Sequence, residues 1–521
     1  MRQGVSQVME RGWDRLRQGT LFLLGLAMLV GLGEAACGAQ QAAGTLGIFS
    51  AQSDVGTILH GGAAQYDPAT RRYLVSGSGD NTWFRADDLY YVWKRVDGGD
   101  LRLAADIAFP RAGGNAHRKA MLMVRQSLDA GSAYVDVAWH GDGLTSLQYR
   151  NETGDVTREV RTTASAPARV AITRRGDFFY VSVAGKGGAL ENSGAAMKLP
   201  MHGPFYVGLA VCSHDKDVVE QAAFSNVEWT ELHSAAAGAG TLVSTLETVP
   251  IASTDRSVVY TTSAHFEAPN WLHDNSGFLV NQDGHLERIP AGGGAPQTID
   301  TASAKRCNND HGLSPDGNRV ALSDGSLSGT SHVYTVPLAG GTPKLVTTEG
   351  PSYFHGWSPD GRTLAFTGQR AGEFDIYTIP TEGGTETRLT TAKGLDDGPE
   401  YTPDGAYIYF NSERTGHMQI WRMHADGSAQ EQVTQDETND WFPHISPDGK
   451  WMVFLAYGPE VTGHPAGKDV TLQLVSLVTG KKSLLAKLFG GQGTMNVASW
   501  SPDSTKVAFV SYQMTVDETA R

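Results

Sequence analysis

The sequence predicts an all-β chain: an N-terminal β-sandwich followed by a β-propeller of six blades, with seven as the alternative. Three observations predict it. The second half repeats a unit every 44 residues, and the first half is a run of short apolar segments broken by Asp-Gly and Gly-Gly turns. The composition, with 62 Gly and 19% charged residues in 521, suits many short strands joined by tight turns.

Residues 1–39 read as an export signal. Arg2, Arg11, Arg15 and Arg17 outnumber Glu10 and Asp14, Thr20–Gly33 is apolar, and small residues follow. The apolar run is shorter than the roughly 20 residues of a membrane-crossing helix, so cleavage is expected over an uncleaved anchor. No other segment could span a membrane. Cys37 follows Ala35-Ala36, where a lipid-bearing cysteine would stand, although Glu34 replaces the aliphatic residue of a lipobox. The expected location is periplasmic or secreted. Of three cysteines, Cys212 and Cys307 fall in different halves, which predicts no disulfide framework. The net charge of −14 excludes a general nucleic-acid binder, since phosphate contacts need a basic surface.

Residues 45–233 predict strands at Leu101–Phe109, Ala120–Gln126, Ala133–His140, Leu144–Tyr149, Arg169–Thr173, Phe178–Val183 and Phe205–Val211. Trp83, Phe84, Tyr90, Tyr91, Trp93 and Trp139 serve either packing or stacking against sugar rings. Trp139-His140-Gly141-Asp142 ends a strand and is expected at the surface. The alanine-rich stretch 234–241 reads as a linker, and 242–521 as the propeller.

Within the propeller, LSPDG, WSPDG, YTPDG and ISPDG place Asp316, Asp360, Asp404 and Asp448 44 residues apart, and WSPDS at 500–504 is a degenerate copy. Pro presets φ and Asp can accept from amides ahead of it, so each is a turn between strands. The third unit lays out four strands, Phe354–Ser358, Thr363–Thr367, Phe374–Ile379 and Thr387–Thr390. The final unit supplies two strands only, so Ser244–Val249 and Ser257–Thr261 are expected to complete it and close the ring. These S-P-D-G units, with HFEAPNW, NNDHGLSPDG, DWFPHISPDG and GHPAGKDV, resemble the TolB-like family of exported bacterial propellers over roughly 240–512. The α/β domain that precedes the propeller in TolB itself has no counterpart in the sequence. The first half resembles concanavalin-like, laminin-G-type domains, which implies glycan binding.

In a propeller the segments before the innermost strands line the mouth of the central channel. Here they carry Glu267, Asn270, Asn308, Asp310, His311, Tyr353, His355, Asp397, Glu400, Asp440, Trp441, His444 and Asn496, and an enlarged connection at Tyr457–Val470 adds His464 and Lys468. Strand alternation is expected to send His311 and His355 to one face and Asn270, Glu400 and His444 to the other. Three readings follow. The mouth binds a glycan or envelope-protein ligand, with Trp441 stacking. Alternatively, His311, His355, His444, His464 and Glu400 hold Mn, Zn, Fe or Ca. Such a centre would be similar to the histidine-rich metal funnel of oligogalacturonate lyases and would imply a metal-dependent carbohydrate lyase or hydrolase. In the third, the side chains cap turns and satisfy blade backbones. No GxSxG, HExxH or phosphate loop is present. The expectation is an exported binding or scaffold protein, with the enzyme as the alternative.

Overall fold

Each S/T-P-D-G segment folds by the same local bonds. The Ser358 hydroxyl donates to Asp360 Oδ1 (2.6 Å), the Arg362 amide donates to the same oxygen (3.0 Å), and the Thr363 amide donates to Ser358 Oγ (2.9 Å). Ser314/Asp316, Thr402/Asp404, Ser446/Asp448 and Ser501/Asp503 repeat that arrangement. The turn then needs a left-handed residue, met by Gly361 at φ +69° and, in the degenerate copy, by Ser504 at +61°. The recurring Asp is therefore a turn former. The Trp before it is a clamp between neighbours: Trp357 Nε1 donates to the Gly312 carbonyl and Trp500 Nε1 to the His444 carbonyl, both at 3.0 Å.

The computed structural model describes residues 45–233 and 240–516. They are all β, without helices. The expected export signal, Cys37 and most of the expected linker lie outside the described residues. Among the described residues no helix is long and apolar enough to cross a membrane. Cys212 and Cys307 are buried and unbonded to one another.

Five antiparallel four-stranded blades follow one another, fewer than the six or seven expected. Their innermost strands are Phe266–Trp271, Cys307–Leu313, Ser352–Trp357, Asp396–Tyr401 and Asn439–Ile445. The position that closes the ring is filled by Gly240–Pro250, paired along its 11 residues with Lys506–Val516. Leu246, Ala508 and Val510 pack on Phe266 and Phe278 of the first blade, while Val249, Val507 and Phe509 pack on Leu455 and Leu472 of the fifth. As expected, the segments around Ser244–Val249 and Ser257–Thr261 join the last strands to close the ring, and Arg256–Thr262, beside Gly240–Pro250, also pairs in parallel with Arg158–Ser165 through Val160↔Arg256 and Arg161↔Ser257. The closing strands thereby join a ten-stranded sheet that continues through Leu144–Arg150, Tyr134–His140, Lys119–Arg125, Phe205–Cys212, Leu89–Val96 and Ala51–Val55.

A seven-stranded sheet, ordered Glu191–Lys198, Phe178–Ala184, Arg169–Arg175, Asp100–Ala108, Asp215–Leu232, Arg72–Gly79 and Ala63–Asp67, completes the first half. Leu122, Val135 and Leu147 of the first sheet and Leu103, Ile172 and Phe179 of the second share one apolar cluster. Tyr90 and Tyr91 are buried in the core, and Trp93 packs edge-on against Tyr206. The expected surface position of Trp139-His140 is corrected. Trp139 packs on Phe109 against the shared cluster, and His140 is only 3% exposed.

Candidate functional site at the propeller mouth

Every innermost strand carries a bulge as it nears the axis: between Glu267 and Asn270, Cys307 and His311, Phe354 and Gly356, Asp397 and Glu400, and Trp441 and His444. A bulge inserts one residue and breaks the two-residue alternation. In three strands the inserted backbone is left-handed, at Ala268 (φ +54°), Gly398 (+64°) and Phe442 (+55°). The face assignment expected from strict alternation is therefore overturned. Asn270, His311, His355 and Glu400 all line one cavity of about 220 Å³ on the S/T-P-D-G side of the channel.

The opposite mouth holds a cavity of about 510 Å³. Asn309, Tyr353 and Asp397, each five residues before the Ser or Thr that opens its turn motif, line it with Glu267, Asn308, Asp310, His355, His464 and Asn496. Phe374, Leu395 and Phe442 supply an apolar wall. At its centre Asp397 accepts from the Thr367 hydroxyl (2.7 Å) and the Gly398 amide (2.8 Å), with His355 Nε2 at 3.2 Å and His464 Nε2 at 3.9 Å. Burial alone would raise the Asp397 carboxyl, but the hydrogen bond and charge of His355, with His464 and Thr367, hold it well below the carboxylate range. Burial opposes charge on His355, yet Asp397 and Asp310 together raise it above an ordinary imidazole. Burial pushes Asp310 up to about 6, partly offset by His355, and raises Glu267 against His265 and Asn309.

The remaining expected residues sit elsewhere. Trp441 does not stack at the mouth; it is fully buried in an apolar cluster with Met418, Leu455 and Leu472, and His464 from the enlarged connection packs tilted against it with ring centroids 4.3 Å apart. Asp440 is buried beside the Thr438 hydroxyl (2.8 Å), and burial pushes it up to about 7. Lys468 is exposed at the start of its strand and lines neither cavity. The expected metal set does not converge. His311 Nδ1 bonds Asn270 Oδ1 (2.9 Å), and His444 bonds Glu400 Oε2 (2.6 Å) and the Met495 carbonyl (3.2 Å). His355 and His464 flank Asp397 instead. Among the described residues no three His, Cys, Asp or Glu side chains stand where they could hold one metal ion. Asn309, which stands between Asn308 and Asp310 in the polar segment expected to line the mouth, does line it, in the same register as Tyr353 and Asp397. Sequence reasoning missed Thr367, Phe374, Leu395, Phe442 and Gln492, which carried no signal.

Comparison with known proteins converges on the same ring. Residues 354–480 match the model of the TolB beta propeller domain family, PD40. A protein of Agrobacterium fabrum (strain C58), named only as uncharacterized protein Atu1656, is 48% identical over 274 residues, 52% of this chain and 94% of that protein. A solved structure of putative TolB from Agrobacterium tumefaciens is 48% identical with a TM-score of 0.51, covering 53% of this chain and 99% of that one. TolB from Acinetobacter baumannii is 20% identical with a TM-score of 0.36, over 46% of this chain and 56% of that one. With bulged blades, clamped turns and 48% identity along 94% of a relative's length, the chain belongs to the TolB-type β-propeller family.

Proposed function

We propose that this is an exported binding protein, periplasmic or secreted, whose propeller mouth receives a segment of an envelope protein. The supporting observation is the cavity of about 510 Å³ lined by Glu267, Asp310 and Asp397, by two imidazoles and by an apolar wall. Carboxylates in a recessed site favour a cationic or donor-rich group, such as a chain amine or basic side chain, and Phe374 and Phe442 suit the apolar residue beside it. The same carboxylates repel acidic oligosaccharides, and the histidines are paired off, so the lyase reading has little support here. The first half fits a concanavalin-like sandwich spanning 45–233, joined through 234–241 to a propeller at 242–521. Two sheets sharing one cluster support that reading.

The test is calorimetric titration of the mature protein with short apolar-basic peptides, with free or acetylated amino termini, beside acidic oligogalacturonates. Peptides should bind, and Asp397→Asn should weaken them at least tenfold. Preference for the oligogalacturonates, or peptide binding indifferent to Asp397→Asn, would overturn the assignment.

A further inference from the structure

The outer face of the ten-stranded sheet carries a polar row where a sheet surface would ordinarily be either solvated or apolar. Lys119 faces His140 across one strand pair, Ser146 faces Arg161 across another, and Gln148 lies between Asp136 and Glu159. Their neighbours on the opposite face, Val135, Val137, Leu147 and Val160, enter the cluster between the sheets. Alternation therefore sends the polar row outward, yet Ser146 and Gln148 are fully buried and His140 nearly so.

The cover is the short hairpin of Thr82–Trp83 and Ala86–Asp87. It is fixed firmly. Asp87 is clamped between Arg125 and Arg150, each 2.7 Å away, with all three side chains fully buried. The Phe84 carbonyl accepts from Arg150 Nη2 (3.2 Å) and the Thr157 amide (2.8 Å). Between hairpin and sheet lies a cavity of about 200 Å³, lined by Trp83, His140, Gln148 and Glu159 among others.

Three polar atoms gather there without a hydrogen-bond partner among the described residues, His140 Nδ1, Gln148 Oε1 and, at the rim, His214 Nδ1, and in the same buried row Ser146 Oγ and both Asp136 oxygens are unpartnered as well. Buried polar groups are almost always paired, so such a cluster beside a cavity marks a ligand position. Its chemistry can be read. Gln148 Nε2 reaches His140 Nε2 (3.3 Å) and Glu159 Oε2 (3.5 Å), so it donates to both and the imidazole proton sits on Nδ1. One N–H donor and one carbonyl acceptor remain free, a combination that hydroxyl groups, each both donor and acceptor, can satisfy. The cations are already engaged. Lys119 Nζ spends its three hydrogens on Asn81 Oδ1 (3.0 Å), Thr82 O (3.3 Å) and Thr82 Oγ1 (2.9 Å), while Arg161 pairs with Glu159 and Asp255. Burial, with Lys119 behind it, keeps His140 neutral, down to about 2, and lowers His214 as well. The buried cations are therefore spent, and Arg161, 43% exposed, stands at the rim with two carboxylates already on its guanidinium. Trp83 is half-buried and adds an apolar ring face to the cavity wall.

We infer that this pocket is a second binding site, separate from the propeller mouth, that takes a neutral polyhydroxylated ring the size of a single sugar. The experiment uses the mature chain with methyl glycosides of glucose, galactose, mannose and N-acetylglucosamine as probes, glucuronate as the charged control, and ligand-observed NMR with calorimetry as readouts. At least one glycoside should bind, should lose at least tenfold in affinity in Gln148→Leu and Trp83→Ala, and should be unaffected by Asp397→Asn, which reports on the propeller mouth alone. In the wild-type protein the same glycoside should shift the His140 imidazole and Trp83 indole resonances, a readout that needs no variant to fold. The inference is overturned if no glycoside binds, if binding ignores both pocket substitutions, if those resonances stay still, or if glucuronate binds more tightly than every neutral probe.

Discussion

Replacing Arg256 by Met should destabilise the protein by about 3–5 kcal/mol, the usual cost of stranding one partner of a buried ion pair. Arg256 bonds Glu247 twice, Nε to Oε2 at 2.8 Å and Nη2 to Oε1 at 2.6 Å, and the two side chains are 2% and 0% exposed. Without the guanidinium, Glu247 keeps only the Ser511 hydroxyl for a fully buried carboxylate. At about 1.4 kcal/mol per tenfold, the folding equilibrium should fall by roughly two to nearly four orders of magnitude. The double variant Arg256→Met/Glu247→Leu removes both charges and should recover most of that loss, because a packed apolar pair avoids the desolvation of either ion. Urea unfolding followed by tryptophan fluorescence supplies the energies. Amide exchange across 507–515 shows whether the loss is at the ring closure, since that strand pairs directly with the one bearing Glu247. A single variant within about 1 kcal/mol of wild type, or a double variant as unstable as the single, would refute the reasoning.

Three further outcomes are expected. Trp357→Phe leaves the Gly312 carbonyl without its donor and should cost about 1–3 kcal/mol in the same urea assay, with no change in peptide binding at the mouth. Asp316, Asp360, Asp404, Asp448 and Asp503 all sit below their ordinary 3.8 in the folded protein, Asp316 at about 2, chiefly through the hydroxyl and amide bonds of their turns. A depressed carboxyl stabilises the fold above its unfolded value and ceases to do so as pH falls through its folded one, so the urea midpoint should drop between about pH 4 and pH 2. Asp→Asn at all five turns should flatten that slope, and an unchanged slope would contradict it. At the mouth, the His355 imidazole should titrate above an ordinary histidine in the wild type and lower in Asp397→Asn, where of the two carboxylates only Asp310 still opposes burial; NMR titration of labelled histidines reads this directly.

The blades were legible because their turns are chemical and local. Four S/T-P-D-G copies at a spacing of 44 mark strand ends that tertiary structure has no freedom to move. Strands of the first half, such as Phe178–Ala184 and Phe205–Cys212, were legible for a similar reason: apolar stretches bounded by turns. What escaped was set by distant partners. The fate of Arg256–Thr262 depends on two residues of Arg158–Ser165, almost a hundred positions earlier, and no local pattern announces that pairing. Along the channel, the bulges defeated the alternation rule, so Asn270 and Glu400 share one cavity with His311 and His355. Trp441 read as a platform because residues such as Asp440 beside it are polar, whereas it joins an apolar cluster and is met by His464, 23 positions downstream. Phe374 and Leu395 carry no signal, since single apolar residues in or just before strands are ordinarily core.

The strand that closes the ring also sets the order in which this protein can become whole. Gln513 meets Thr245 across 268 positions of chain, and all five blades are synthesised between the two. Until Lys506–Val516 arrives, Gly240–Pro250 presents an open edge to anything able to add a strand, in a chain expected to cross a membrane before it folds. Each blade can form from nearby residues, but the latch is a long-range event whose entropic cost is met only once the blades are stacked. A ribosome stalled before residue 506, or a protease that trims the tail, would therefore release a ring ajar and prone to pairing with a second ring in the same condition.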